Sequence, residues 1–359
     1  MFKFLQNDSS LVSIHEKIEK AKQGELVKFK KLLDNKDISQ SFYSMVQIDR
    51  DCYYASLEAL VSLMKIPSLM RNEDTDMSEK GKDLFENMEK VYTQYPPNNP
   101  DWISSNFWGE YAGYYLNDYK QLRKKDGLKK YQELTKGGTI NAVIINESKK
   151  ELTGKELEFF QARHIYFTAI QMDFEKELIE LFEQYEKDYP KSEYSKYIRP
   201  LIDKIVQYHQ TIEQPFNENM RFVDSYEEIN TLAEAIKPFN GKKIYIDVWA
   251  TWCSPCKEEF KNSEALKKIL AENDIQMLYI SIDKDRDQQW KDMIKFYNLT
   301  GNHICANKLL DTDLRKIFDQ NGMLSIPWYI LVDENGTIID KHAKSPSQLV
   351  AGEKIIKNE

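Results

Sequence analysis

The sequence predicts a chain of two parts, an α-helical N-terminal domain over residues 1–215 and a C-terminal α/β fold with a mixed central sheet over residues 216–359. Three observations predict it. Apolar residues recur at helical spacing through the first part. Short β-type runs alternate with helical stretches after Gln214-Pro215. Cys253-Ser254-Pro255-Cys256 stands between an apolar run, Ile244–Ala250, and a helix-like stretch. With 359 residues, of which 41% are hydrophobic and 12% aromatic, the chain has ample material for two cores.

In the first part Leu11, Ile14, Ile18 and Ala21 form one apolar stripe, and Cys52 to Ile66 reads as helix until Pro67. Leu84, Met88 and Val91 keep helical spacing before Tyr95-Pro96-Pro97-Asn98-Asn99-Pro100 breaks the chain. Between Trp102 and Tyr119 stand Phe107, Trp108, Tyr111, Tyr114 and Tyr115, either a ligand surface or core; helical spacing favours core. Beyond Gly137-Gly138, Ala142 to Ile145 reads as a short strand. Thr153-x-x-Glu156 reads as a capping box opening a helix through Phe174 and beyond. Tyr189-Pro190 breaks that helix, and Glu193 to His209 forms the next, with a kink expected at Pro200.

In the second part the predicted order is helix Thr231–Ile236, strand Lys243–Trp249, helix Pro255–Ala271, strand Ile275–Ile282 and helix Gln288–Tyr297. Helix Leu309–Phe318 follows, then Pro327–Val332 and Thr337–Asp340 joined as a hairpin by Glu334-Asn335-Gly336, then a terminal helix Ser347–Ile356. Strands interleaved with helices and closed by a hairpin make a mixed sheet.

Charge and cysteine usage exclude several classes. The net charge of -8 is spread out: residues 221–359 hold 19 Lys plus Arg and 22 Asp plus Glu, a difference of -3, leaving -5 for the rest. No basic face for nucleic acid is implied. No run approaches the ~18 apolar residues of a membrane span. Met1–Asp8 has one basic residue and no apolar stretch of a signal peptide, so the protein is cytosolic or a targeting segment has been removed.

Four cysteines are too few for a disulfide framework; Cys52 and Cys305 read as buried thiols, a bridge between them being the alternative that an even count permits. No metal or cofactor is expected. One CxxC lacks the partner pair that zinc needs, and Asp283-Lys284-Asp285-Arg286-Asp287, which lacks a calcium-loop Gly and distal Glu, reads as a charged surface loop, as does Thr153–Glu156. No PxxxTxxC-like arrangement supports peroxidase chemistry. At a strand-to-helix junction, the CxxC instead points to dithiol-disulfide exchange.

Trp249-Ala250-Thr251-Trp252-Cys253-Ser254-Pro255-Cys256-Lys257, with Asp247 six residues before Cys253 and Ile326-Pro327 before the hairpin, resembles the thioredoxin superfamily. More narrowly, Cys256-Lys257-Glu258-Glu259-Phe260 and the insertion-like stretch Asp283–Asn307 are similar to TlpA-like thiol-disulfide oxidoreductases. The first part resembles, more loosely, N-terminal helical regions of Bacteroidetes members.

Cys253, at the first helical turn, is the expected nucleophile, since unpaired N–H groups and the helix dipole favour a thiolate. Cys256 lies inside the helix and is expected to resolve the mixed disulfide. Asp247, between apolar Ile246 and Val248, should have a raised pKa and accept the Cys256 proton, although an ordinary strand-end acid is the alternative. Glu259 matches a position where TlpA-like members place an active-site acid. The resemblance implies a cis Ile326-Pro327 bond beside the cysteines that presents backbone to an extended substrate. Trp252 is expected to shield one side of the disulfide, a core plug being the alternative, and Trp328 stands where thioredoxins often carry a smaller residue, so substrate contacts there are expected to differ from theirs. The resemblance also implies disulfide-containing protein substrates, an unidentified electron donor, the direction of a reductase, and a bacterial periplasm or cell envelope. The alternative reading is a redox-gated binding module in which the helical domain captures a partner.

Overall fold

The computed structural model describes residues 10–66, 79, 81–318 and 323–355. The readings on Met1–Asp8, Pro67 and Ile356 lie outside the described residues. The chain divides into two compact units: one formed by residues 1–170 and 175–203, the other by residues 171–174 and 204–359.

The first unit is helical. Ser10 opens α1 (Leu11–Asp34) by accepting from Ser13 N at 3.2 Å, and Ser39 opens α2 (Gln40–Leu63) by accepting from Phe42 N at 3.1 Å. Next come α3 (Lys82–Gln94) and α4 (Trp108–Gly113); α4 runs through a π-helical turn, Tyr114–Tyr119, into Lys120–Leu122. Then follow α5 (Gly127–Lys136), α6 (Ile140–Glu151), α7 (Gly154–Ala169), α8 (Glu177–Asp188) and the start of α9 (Ser195–Ile212).

The aromatic stretch is core, as its spacing favours. Trp102, Trp108, Tyr111 and Tyr119 are buried with Cys52, Met88 and Phe160, while Phe107, Tyr114 and Tyr115 pack half-buried against them. The polar tips of Trp108 and Tyr111 are satisfied by a Pro-rich loop. Trp108 Nε1 donates to Pro97 O at 2.8 Å and Tyr111 OH to Tyr95 O at 2.7 Å.

Three local expectations are corrected here. Ala142–Ile145 is helix, not strand, because Ile140, Ile144 and Ser148 bury one helical face and the Glu177 carboxylate caps the start of α6. It accepts from Asn141 N at 3.0 Å and from Ala142 N at 3.1 Å. Thr153 precedes α7 but its side chain makes no capping bond. The helix through Phe174 stops at Ala169, because Met172 and Phe174 adopt left-handed φ values of 58° and 56° that no α-helix can contain.

The second unit is built on a six-stranded mixed sheet in the order β1-β4-β3-β2-β5-β6. Its strands are β1 (Met220–Phe222), β2 (Lys243–Trp249), β3 (Ile275–Ser281), β4 (Gly301–Cys305), β5 (Trp328–Val332) and β6 (Ile338–Asp340). The first four run parallel to one another, while β5 is antiparallel to β2 and to β6. β2 is central and, beyond Lys243 at its start, apolar apart from Asp247, as a strand covered on both faces must be.

Around the sheet lie α10 (Leu232–Ile236), α11 (Ser254–Glu259), α12 (Ser263–Glu272), α13 (Asp287–Phe296), α14 (Lys308–Phe318) and α15 (Pro346–Val350). The predicted helix Pro255–Ala271 is two helices separated by a 3₁₀ turn, Phe260–Asn262. His303-Ile304-Cys305 lies in β4, and the terminal helix ends at Val350. The hairpin forms as its Asn-Gly signal predicts. Asp333 Oδ1 accepts from Asn335 N and Thr337 N, and Gly336 supplies the turn's positive φ of 80°.

Candidate active site

β2 ends at Trp249, which is fully buried edge-on to Phe260 at 5.1 Å, and the chain turns over Ala250–Trp252 into α11. Cys253 is the N-cap of α11 with extended backbone, so its sulfur faces the open first turn. Cys256 N donates to Cys253 Sγ at 3.2 Å. Pro255 occupies an early helical position where a missing N–H costs nothing. Cys253 and Cys256 form a disulfide with Cα atoms 5.3 Å apart. Cys253 retains 4% exposure and Cys256 none. Cys52 and Cys305 are free thiols, and burial pushes both up to about 12, away from nucleophilic use.

Asp247 is 1% exposed, and its Oδ1 has no hydrogen-bond partner. Burial, reinforced by the charge of Glu259, holds its carboxyl well above the usual carboxylate range. In the sheet it stands opposite Tyr279 on β3 and Tyr329 on β5, so its strand neighbours supply rings rather than solvent. Glu259 is half-buried, and its carboxylate ties down α15. Oε2 accepts from Ser347 N at 2.9 Å and Oε1 from Ser347 Oγ at 2.8 Å. The two acids thus differ: Glu259 is bound at a helix start, while Asp247 keeps an unused oxygen.

The Ile326-Pro327 bond is cis. Because Val248 pairs with Trp328, the first residue of β5, Pro327 lies one residue before that strand, beside the end of β2 that delivers the cysteines. Pro327 and Ser325 line a recess of about 320 Å³ with Phe318 and His342. Trp252 is 51% exposed at the lip of the site. Trp328 is turned inward. It is buried edge-on to Phe318 at 5.0 Å, and its Nε1 donates to Lys341 O at 2.6 Å.

Two features escaped the sequence reading. Asp283, expected on a charged surface loop, is buried and holds the turn before Cys253. Its Oδ2 accepts from Thr251 N at 2.9 Å and Ser281 Oγ at 2.6 Å, and its Oδ1 accepts from Thr251 Oγ at 2.7 Å. Only its place just past a predicted strand end hinted at this. Replacing it with Ala leaves the Thr251 N–H and hydroxyl buried without an acceptor. We expect Asp283→Ala to lower unfolding free energy by about 2–4 kcal/mol in a urea titration. The second is Lys257, next to Cys256, which is 1% exposed. Its ammonium donates to Gln171 O and Met172 O, residues that belong to this same unit.

A disulfide-forming cysteine pair at the exit of a central strand, in a mixed α/β sheet, makes this unit a thioredoxin-like domain. Residues 221–353 match the family described as Redoxin. Among curated relatives, the thioredoxin-like protein YneN of Bacillus subtilis (strain 168) is 28% identical over 110 residues, 30% of this chain and 60% of that protein. The thiol-disulfide oxidoreductase ResA of Bacillus thuringiensis subsp. konkukian is 26% identical over 106 residues, 30% of this chain and 57% of that protein. The chain thus spans under two thirds of the length of either. A solved structure of a thiol-disulfide oxidoreductase from Bacteroides fragilis is 28% identical, with 31% of this chain and 79% of that one covered and a TM-score of 0.26. Among the described residues no helix is long and apolar enough to cross a membrane.

Proposed function

We propose that this protein reduces disulfides in protein substrates, with Cys253 attacking and Cys256 resolving, in the periplasm or cell envelope of a bacterium. The observation that carries the reading is the Cys253–Cys256 disulfide at the head of α11, in the same central strand–helix unit as a buried carboxyl, Asp247, that has an unpartnered oxygen. Cys253 thiolate attacks a substrate sulfur, a Cys253–substrate bond forms, and the other substrate sulfur leaves and takes a proton. Ionised Asp247 accepts the Cys256 proton. Cys256 then attacks Cys253 Sγ, forming the disulfide seen here and releasing the second substrate thiol. An external electron donor returns two electrons to the pair.

Ile326 and Pro327 offer backbone at the end of β2 where an extended substrate segment docks, and Trp252 is the exposed ring beside it. The periplasmic location follows the TlpA-like resemblance. The direction is tested by titrating the couple in redox buffers with alkylation and mass readout, with Cys253→Ser as the blank. We expect a potential near or below about −250 mV; a value near about −120 mV would make the protein an oxidant instead.

A further inference from the structure

Lysine is rarely buried, and a buried ammonium needs a full set of acceptors. Lys257 has them in one short segment. Its Nζ donates to Gln171 O at 3.0 Å and Met172 O at 3.1 Å, and it pairs with Asp173 at 3.6 Å.

Two successive carbonyls face one cation in a segment where Met172 and Phe174 both take left-handed φ, a conformation that non-glycine residues rarely adopt. The segment is held at several points. The Phe174 ring stacks on Tyr208 at 4.4 Å and meets Phe296 at 4.8 Å, and its carbonyl accepts from His209 Nε2 at 2.9 Å. Tyr297 OH donates to Met172 Sδ at 3.8 Å. Strain that is so heavily over-determined points to a role.

We propose that Lys257, fixed by the 171–174 strap, is a positioning residue for the redox couple, its ammonium stabilising the thiolate that appears only when the Cys253–Cys256 disulfide is reduced.

Reduction breaks the S–S bond with two electrons. Two protons complete the thiols, and whichever sulfur ionises is stabilised by a neighbouring cation. Lys257 follows Cys256 directly, and out of water its field is weakly screened. The charges that act on it are Asp173, Asp283 and Arg286, so removing the ammonium leaves two acids against one arginine. That change disfavours a thiolate and favours the disulfide.

The inference rests on the dithiol reading above, and the experiment separates the two. The full-length chain is titrated in dithiothreitol redox buffers at pH 7, with alkylation and mass readout, for wild type, Lys257→Met, Lys257→Arg and Asp173→Asn. If wild type matches the Cys253→Ser blank, the dithiol reading itself fails. With a titrating wild type, Lys257→Met should lower the equilibrium constant for reduction about tenfold, roughly 30 mV, while Lys257→Arg stays within about threefold.

Asp173 is half-exposed, so Asp173→Asn tests the idea even if Lys257→Met does not fold; it should shift the couple less, and toward the dithiol. A folded Lys257→Met within about twofold of wild type would overturn the proposal. So would an Asp173→Asn shift that is absent or toward the disulfide. Hydrogen exchange at residues 171–175 should also speed up in Lys257→Met, reporting release of the strap.

Discussion

Cys253→Ser should abolish turnover of insulin disulfides, with a loss of about 10³-fold or more, because serine cannot supply a thiolate at neutral pH. Cys256→Ser should behave differently. Cys253 can still attack, but no second thiol displaces the substrate, so a mixed disulfide accumulates and survives to a non-reducing gel. The difference follows from the geometry. Cys253 caps the helix and keeps a sliver of exposure, whereas Cys256 is sealed inside the first turn with Cys253 Sγ facing its N–H. Equal trapping by both single variants would show that the roles are not divided, and residual turnover by Cys253→Ser would remove the nucleophile assignment altogether. Neither substitution fills or empties a large volume, so thermal unfolding measured under reducing conditions should stay near that of wild type.

What the sequence made legible was local. The run Lys243–Trp249 reads as a strand because apolar residues fill it from Ile244 on with Asp247 as the one interruption, and the CxxC follows it by position alone. The mixed sheet was legible because hairpin chemistry at Asn335-Gly336 fixes the antiparallel edge. Asp247 was legible as buried because its strand neighbours are apolar. The interactions that depend on distant partners were not. Lys257 looked like any lysine on a charged helix, and its burial comes from carbonyls 86 and 85 residues earlier in the chain. Glu259 read as an active-site acid, but its partner Ser347 is 88 residues away. Ala142–Ile145 has the β-branched content of a strand, yet a cap from Glu177 and one apolar face make it helix. Periodicity reports which face is apolar; it does not report which charge a fold will bring to cover a backbone end.

Asp247→Asn should separate catalysis from stability in opposite directions. In wild type, burial favours the protonated carboxyl, so its folded pKa lies above the unfolded one. Below the unfolded pKa both states hold the proton and no penalty exists. As pH rises from there toward the folded pKa, the unfolded chain releases its proton while the folded one keeps it, so stability falls, by about 1.4 kcal/mol for each pKa unit of elevation. Asparagine has no such proton. The variant should therefore melt higher than wild type at pH 7, with the gain shrinking as pH is lowered and vanishing below about pH 4, near the ordinary carboxyl value. Turnover should move the other way. Without a base for Cys256, resolution at pH 7 should slow about 10²-fold, and the pH profile should lose the rise that ionisation of Asp247 gives wild type. A stabilised variant with an unchanged profile would mean that Asp247 is a buried acid retained for some other reason, and that the Cys256 proton leaves by another route. A variant that lost stability at pH 7 would show that the carboxyl is held by partners in the folded chain, contrary to its unpartnered Oδ1. Because the two readouts have opposite expected signs, generic damage to the fold cannot imitate the predicted result.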